Sequence, residues 1–349
     1  MRIRRCRSYT DANERPVVCP FSGAVRYDSS QFLMNKHLAE CLERGKPEAE
    51  QIFARMVVFE SADRQTFSMM MKNYNKMQQT SKALAVLDLA MERGMAEEFM
   101  YCMALKIYGE AGDIHNARLL FTHVIHEGIQ SPVIFTQMII LEGKYGSKTS
   151  TFRELFDTAV AIGIADRKLY HETIRSYVSA REYGRAIDIL CMAVKANEIY
   201  SESFNHLAHV LISNNLLSDA ENVYQMSVTS GCDDPKVVCA LMDTYAKRRN
   251  IGKVRELFDG VKARGKSTSF EYSIMIKAYG ICHLPHEAMQ IFEEAKQAGV
   301  ANSVVYRTVA SAIRVAGQVE EAERLFEEAS NLGLTAEMIS LAQVADARK

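Results

Sequence analysis

The sequence predicts an all-α protein, a right-handed superhelical solenoid of helix-turn-helix repeats, and three periodic features carry that expectation. A small residue returns every 34 positions, at Ala49, Ala83 and Ala117 and, after a slip of one, at Ala186, Ala220, Val254, Ala288 and Ala322. Four residues beyond each stands a large apolar side chain: Phe53, Leu87, Phe121, Leu190, Tyr224, Phe258, Phe292 and Phe326, with Phe156 in the slipped copy. Seven further on comes a glycine in most copies, Gly94, Gly128, Gly163, Gly231, Gly265, Gly299 and Gly333, with Asn197 in another. Glycine or asparagine is what a helix needs where it ends in the left-handed region.

The elements follow in order. Residues 1–29 open with MRIRRCRSY, four arginines and no acid, the composition of a mitochondrial targeting segment or of a basic arm. Residues 30–336 make nine hairpins of 34–35 residues. In each first helix an aromatic at the fourth position is matched by another seven later, as in Phe67/Tyr74, Tyr101/Tyr108, Tyr170/Tyr177 and Tyr272/Tyr279. Seven residues are two helical turns, so both rings share one face. Pro132 and Pro235 open units, and Pro47 and Pro285 precede second helices, where a missing N–H does no harm. The segment EGKYGSKTS, between Ile140 and Thr151, has weak helical character and is the expected irregularity or hinge. Residues 337–349 read as a capping helix. One hairpin cannot bury its apolar face alone, so neighbours stack around a concave groove, and no domain boundary is expected.

Composition narrows the function. With 349 residues, 48% hydrophobic and 24% charged, disorder over most of the chain is excluded. A formal net charge of −1 leaves no bulk positive excess for a phosphate backbone, so any nucleic-acid contact must be local. No stretch approaches the ~18 consecutive apolar residues of a membrane-spanning helix. The eight cysteines form no C-x-x-C pair and read as reduced, mostly buried thiols.

Segments such as MYCMALKIYGEAGDIHNARLLFTHVIHEGI and EYSIMIKAYGICHLPHEAMQIFEEAKQAGVANSVVYRTV resemble the pentatricopeptide repeat family, and the resemblance covers nearly the whole chain. It implies a non-enzymatic scaffold that binds RNA in an organelle, at about one base per repeat. Carried over to this sequence, the base-reading positions are the fifth and the last of each unit. Thr136 with Asp166 resembles a guanine reader, Asn205 with Asp234 a uracil reader and Ser273 with Asn302 an adenine reader. The remaining pairs, among them Met34/Asp63, Ser68/Glu97, Cys102/Ser131 and His171/Tyr200, depart from the family's combinations, which puts contiguous readout in doubt. Phosphate contacts are expected from Lys72, Lys76, Lys106, Lys144, Arg175, Lys247, Arg248, Lys277, Arg307 and Arg314. The partners implied are single-stranded or ribosomal RNA and proteins of a mitochondrial ribonucleoprotein, such as a mitochondrial ribosome or an assembly or RNA-processing complex. No membrane, small-molecule substrate or cofactor is expected. Tetratricopeptide repeats share the small and large positions, and Ala90, Ala159, Ala193, Ala295 and Ala329 favour them. A protein–protein adaptor without RNA binding is therefore the alternative. Basic, polar first helices would favour RNA, and apolar ones a peptide.

Other motifs carry less. Residues 260–267, GVKARGKS, satisfy the phosphate-loop pattern, but the preceding KVRELFD reads as the middle of a helix, not a strand. His123/His126, His206/His209 and His283/His286 have metal-ligand spacing without a recurring third ligand, so no metal is expected. The aromatic ladder reads as hairpin core rather than as base-stacking platforms. No catalytic constellation is present, and no enzyme activity is expected.

Overall fold

The structure, a computed structural model, describes residues 26–146 and 149–334, and among these are eighteen α-helices and no strand. The chain divides into two compact units, Met1–Ile164 and Ala165–Lys349. The first unit holds α1 (Arg26–Glu43), α2 (Glu48–Val58), α3 (Arg64–Lys76), α4 (Thr80–Glu92), α5 (Glu98–Ala111), α6 (Ile114–His126), α7 (Pro132–Tyr145) and α8 (Thr149–Ala161). The second holds α9 (Arg167–Ser179), α10 (Tyr183–Ala196), α11 (Ser201–Ser213), α12 (Leu217–Thr229), α13 (Pro235–Lys247), α14 (Ile251–Ala263), α15 (Ser269–Ile281), α16 (Pro285–Gln297), α17 (Ser303–Val315) and α18 (Val319–Asn331).

Odd and even helices pair into hairpins, and within each unit every first helix packs on the first helix of the next hairpin. Proline stands at the start of α7, α13 and α16, where its fixed φ suits the first turn. The periodic glycines from Gly94 to Gly333 all have φ between 63° and 77°, and Asn197 has 56°, so each releases the chain from a second helix. The small residues Ala83, Ala117, Ala186, Ala220 and Ala288 are fully buried at the helix crossings.

The aromatic ladder is core. Phe67, Phe135, Phe204, Tyr272 and Tyr306 are buried at the fourth position of their helices. Most meet the large residue of the preceding second helix edge to face: Phe53–Phe67 at 5.7 Å, Phe121–Phe135 at 5.1 Å, Phe258–Tyr272 and Phe292–Tyr306 both at 4.9 Å between centroids. This geometry sets the positive rim of one ring against the negative face of the other.

Three details differ from the sequence expectation. Helix α1 starts at Arg26, so 26–29 is helix and not tail; nothing between Arg26 and Ser30 breaks a helix. The slipped segment is helical to Tyr145, and Gly146 is extended, with φ −69° and ψ 144°. The chain also divides after the hairpin that carries the slip, where an uninterrupted array is expected. The basic stretch 1–25, Ser147 and Lys148 of the slip, and the C-terminal cap 337–349 lie outside the described residues.

Candidate nucleic-acid interface

Among the described residues, the last residue of a unit is the N-cap of the next first helix. Asp63 accepts from Thr66 N, Asp166 from Leu169 N at 2.8 Å, Asp234 from Lys236 N at 2.8 Å and Asn302 from Val304 N and Val305 N. Helix capping explains the abundance of Asp, Asn, Ser and Thr at this position before any reading role is invoked. It also fixes where the side chain sits, beside the start of the next first helix.

The fifth and last positions of a unit are accordingly neighbours. Asn205 Nδ2 donates to Asp234 Oδ2 at 2.9 Å, while Asn205 Oδ1 is enclosed without a donor among the described residues. Ser273 Oγ donates to the Ser269 carbonyl at 2.7 Å and Asn302 Nδ2 donates to Ser269 Oγ at 3.0 Å, so both converge on Ser269. His171 and Tyr200 touch edge to face at 5.9 Å, and Ser68 Oγ donates to Glu97 at 3.4 Å. Thr136 differs: only 1% exposed, it donates to the Pro132 carbonyl, because α7 is apolar on nearly every side. Asp166 caps α9, and the two lie in different units. In the first hairpin it is Asn35, not Met34, that reaches Asp63, at 2.9 Å, and Asn35 also accepts from Thr66 Oγ1. Asn35 is buried, and both the nitrogen and the oxygen of its amide are used.

All ten expected phosphate contacts lie on first helices or, for Arg248, at the C-cap of one. Lys72, Lys76, Lys106, Lys144, Arg175, Lys247, Arg248, Lys277 and Arg314 are exposed, and Arg307 half-buried. Four hold carboxylates: Lys106 with Glu110 at 3.8 Å, Arg175 with Glu172 at 3.3 Å, and Lys247 and Lys277 both with Asp243 at 2.7 Å. Lys144 lies over the Tyr145 ring at 4.8 Å. Lys72, Lys76, Arg307 and Arg314 have no ion pair among the described residues.

Charge is segregated by helix. Helix α3 carries three cations and no acid, α9 three cations against one glutamate, and α17 two arginines and no acid. Three second helices reverse this, α12 with two acids and no cation, α16 with three glutamates against Lys296, and α18 with five glutamates against Arg324, whereas the second helices α6, α10 and α14 are net basic and the first helices α5 and α11 net acidic. Between α9 and α11, burial holds the imidazoles of His171 and His206 below their ordinary value, and nearby Arg175 acts in the same direction. Arg175 is thus the fixed positive charge there.

Sequence reading missed the second position of the first helices, where Phe99, Val133 and Phe270 are exposed, Phe270 to 67%. The signal was an apolar residue off the buried stripe. The phosphate-loop pattern dissolves: Gly260–Ala263 finishes α14, and Gly265 is the left-handed stop at φ 68°. His283 takes a left-handed turn at φ 58° while His286 lies in α16, and no described group of three potential ligands could hold a metal ion. Burial, with Glu271 alongside, pushes the Cys239 thiol up to about 12, leaving it unreactive. No described helix is long and apolar enough to cross a membrane.

Comparison with known proteins agrees with the hairpin grammar. The family described as PPR repeat matches residues 272–300 and 304–334. A mitochondrial pentatricopeptide repeat-containing protein of Arabidopsis thaliana is 22% identical over 192 residues, 54% of this chain and 46% of that protein. The crystal structure of the pentatricopeptide repeat protein PPR10 from maize superposes with a TM-score of 0.50 at 20% identity, over 88% of this chain and 45% of that one. The chain thus spans about half the length of the relatives it matches. Repeat period, capped hairpins and family match converge: the last two hairpins match the PPR repeat, and the chain as a whole is similar to pentatricopeptide repeat proteins.

Proposed function

We propose that this protein binds RNA along its first helices and acts as a non-enzymatic scaffold in a mitochondrial ribonucleoprotein, such as the mitochondrial ribosome or an assembly or RNA-processing complex. One observation carries the reading. Cations collect on the first helices α3, α9 and α17 while acids collect on the second helices α12, α16 and α18, so a chain of nearly zero net charge presents local basic patches to phosphate. The Arabidopsis relative supports the mitochondrial assignment by its own location. Lys72, Lys76, Arg307 and Arg314 engage phosphates directly, whereas Lys106 first releases the exposed Glu110, at small cost, and Arg175, Lys247 and Lys277 first release the half-buried Glu172 and Asp243. Asn205 with Asp234, and Asn302 beside the buried Ser273, present polar groups to a base edge, with Phe99, Val133 and Phe270 offering apolar surface for stacking.

The cations of α3, α9 and α17 favour RNA over the tetratricopeptide-like adaptor, for which apolar first helices are the expectation. Crosslinking in the source organelle, followed by sequencing of attached RNA, tests the choice. RNA recovered with the protein, and lost as salt rises, is the expected result. Protein partners recovered without RNA would refute it.

A further inference from the structure

A cavity of about 360 Å³ opens between α15 and α17, away from the fifth and last positions of the α15 unit. Its floor is a tight approach of the two helices: a Cβ placed on Gly280 would lie 2.7 Å from the Cβ of Ala312. Ile281 and Val315 make one end apolar, while Lys277, Arg307 and Ser311 line it with two cations and a hydroxyl. No carboxylate among the described residues lines it. Arg307 has no ion pair among the described residues, and Lys277 holds only the exposed bridge to Asp243 at 2.7 Å. Thr308, also in the lining, spends its proton on the Val304 carbonyl at 2.7 Å and keeps its oxygen as an acceptor. An apolar floor, two cations and two hydroxyls in one lining suit an aromatic base joined to a phosphate.

We propose that this cleft is a nucleotide site, with the base laid on the Gly280–Ala312 floor and the phosphate held between Lys277 and Arg307. It rests on the RNA-binding reading in taking that nucleotide from a bound strand. It adds a contact made by the ninth and twelfth positions of one first helix with the fifth and tenth of the next.

The chain contains no tryptophan, so the substitution Val315→Trp at the exposed end of the cleft provides a single emitter. AMP, adenosine, inorganic phosphate and an adenylate strand of about ten nucleotides are titrated against the full chain carrying it, with helix content checked by circular dichroism. Expected is quenching by AMP and by the strand, with adenosine and phosphate weaker by about tenfold or more. Adding Arg307→Gln should weaken AMP by a similar factor. Equilibrium dialysis of AMP with the unaltered chain gives the same answer without substitution. No AMP binding in either assay overturns the proposal, as does equal quenching by a polyglutamate peptide. Strand affinity is measured separately by filter retention. A strand that binds without quenching the indole of the Val315→Trp chain removes the cleft and leaves the RNA reading intact, whereas AMP binding without strand binding keeps the cleft and removes that reading.

Discussion

Gln78, Arg181, Asn215, Arg249 and His283 occupy the turn that leaves a first helix, each with φ between 58° and 68°. Gly112 and Gly317 fill the equivalent place in two other hairpins. A side chain with a Cβ is strained in that region by about 1–2 kcal/mol, part of which glycine returns as lost chain entropy. Arg181→Gly and His283→Gly should each therefore raise stability by up to about 1 kcal/mol, seen as a higher urea midpoint with unchanged slope. Glu142 shows the opposite sensitivity. Its side chain has no solvent exposure and accepts two hydrogen bonds from Arg118, at 2.6 and 2.8 Å. Arg118→Met strands that carboxylate and should cost about 3–5 kcal/mol, much of it recovered by adding Glu142→Leu. An additive double variant in urea melts would show that the pair does not act as a unit.

Between helices, the same polar device recurs at a separation of 24 residues. Tyr74 donates to Glu50 at 3.1 Å with Lys82 on the same oxygen at 2.7 Å, Tyr245 donates to Glu221 with Lys253 at 3.1 Å, and Arg255 donates to the Tyr279 hydroxyl at 2.8 Å. Burial, reinforced by the bonded carboxylate, pushes Tyr74 and Tyr245 up to about 12 from an ordinary 10.0. The folded chain thus favours the neutral phenols. Their contribution is complete below pH 10 and lost as pH rises through about 12. Alkaline unfolding followed by circular dichroism should move to higher pH in Tyr74→Phe and Tyr245→Phe, provided the lost hydrogen bond leaves the neutral-pH fold intact. Helix spacing gives a second contrast. Gly280→Ala drives a Cβ to 2.7 Å from that of Ala312 and should cost about 1–3 kcal/mol. Gly184→Ala has open space around it in α10 and should gain up to about 1 kcal/mol. The period of 34 marked these helices and their crossings in the sequence, because burial of one face recurs along the chain. The polar clasps were illegible there, since each joins positions whose spacing depends on how one hairpin leans on the next.

For the chain entire, stability comes from neighbour-to-neighbour packing within each unit, the pattern of a linear array. Expressed alone, 165–349 should keep its helices and unfold cooperatively in urea; a non-cooperative melt would count against its being a unit. The cations of α3 in the first unit and of α9 and α17 in the second predict salt-sensitive RNA binding. Lys72→Gln and Lys76→Gln should weaken it for all sequences alike and each lower the slope of log affinity against log salt by about 1. Asn205→Ala should instead alter preference among strands with little change in slope.

Local regularities dictated the hairpins: where each helix starts and stops, which stripe is buried, and that the rings at the fourth position are core. Those follow from propensity, capping and periodic burial, which act over a few residues and are written in neighbouring letters. Tertiary packing chose the rest. It placed Asn35 rather than Met34 against Asp63, turned Thr136 inward, paired Arg118 with Glu142 and opened the cleft beside Gly280. Each depends on ångström-level distances between side chains of separate helices, and a difference of one methyl group or one residue of register reverses them without disturbing the repeat.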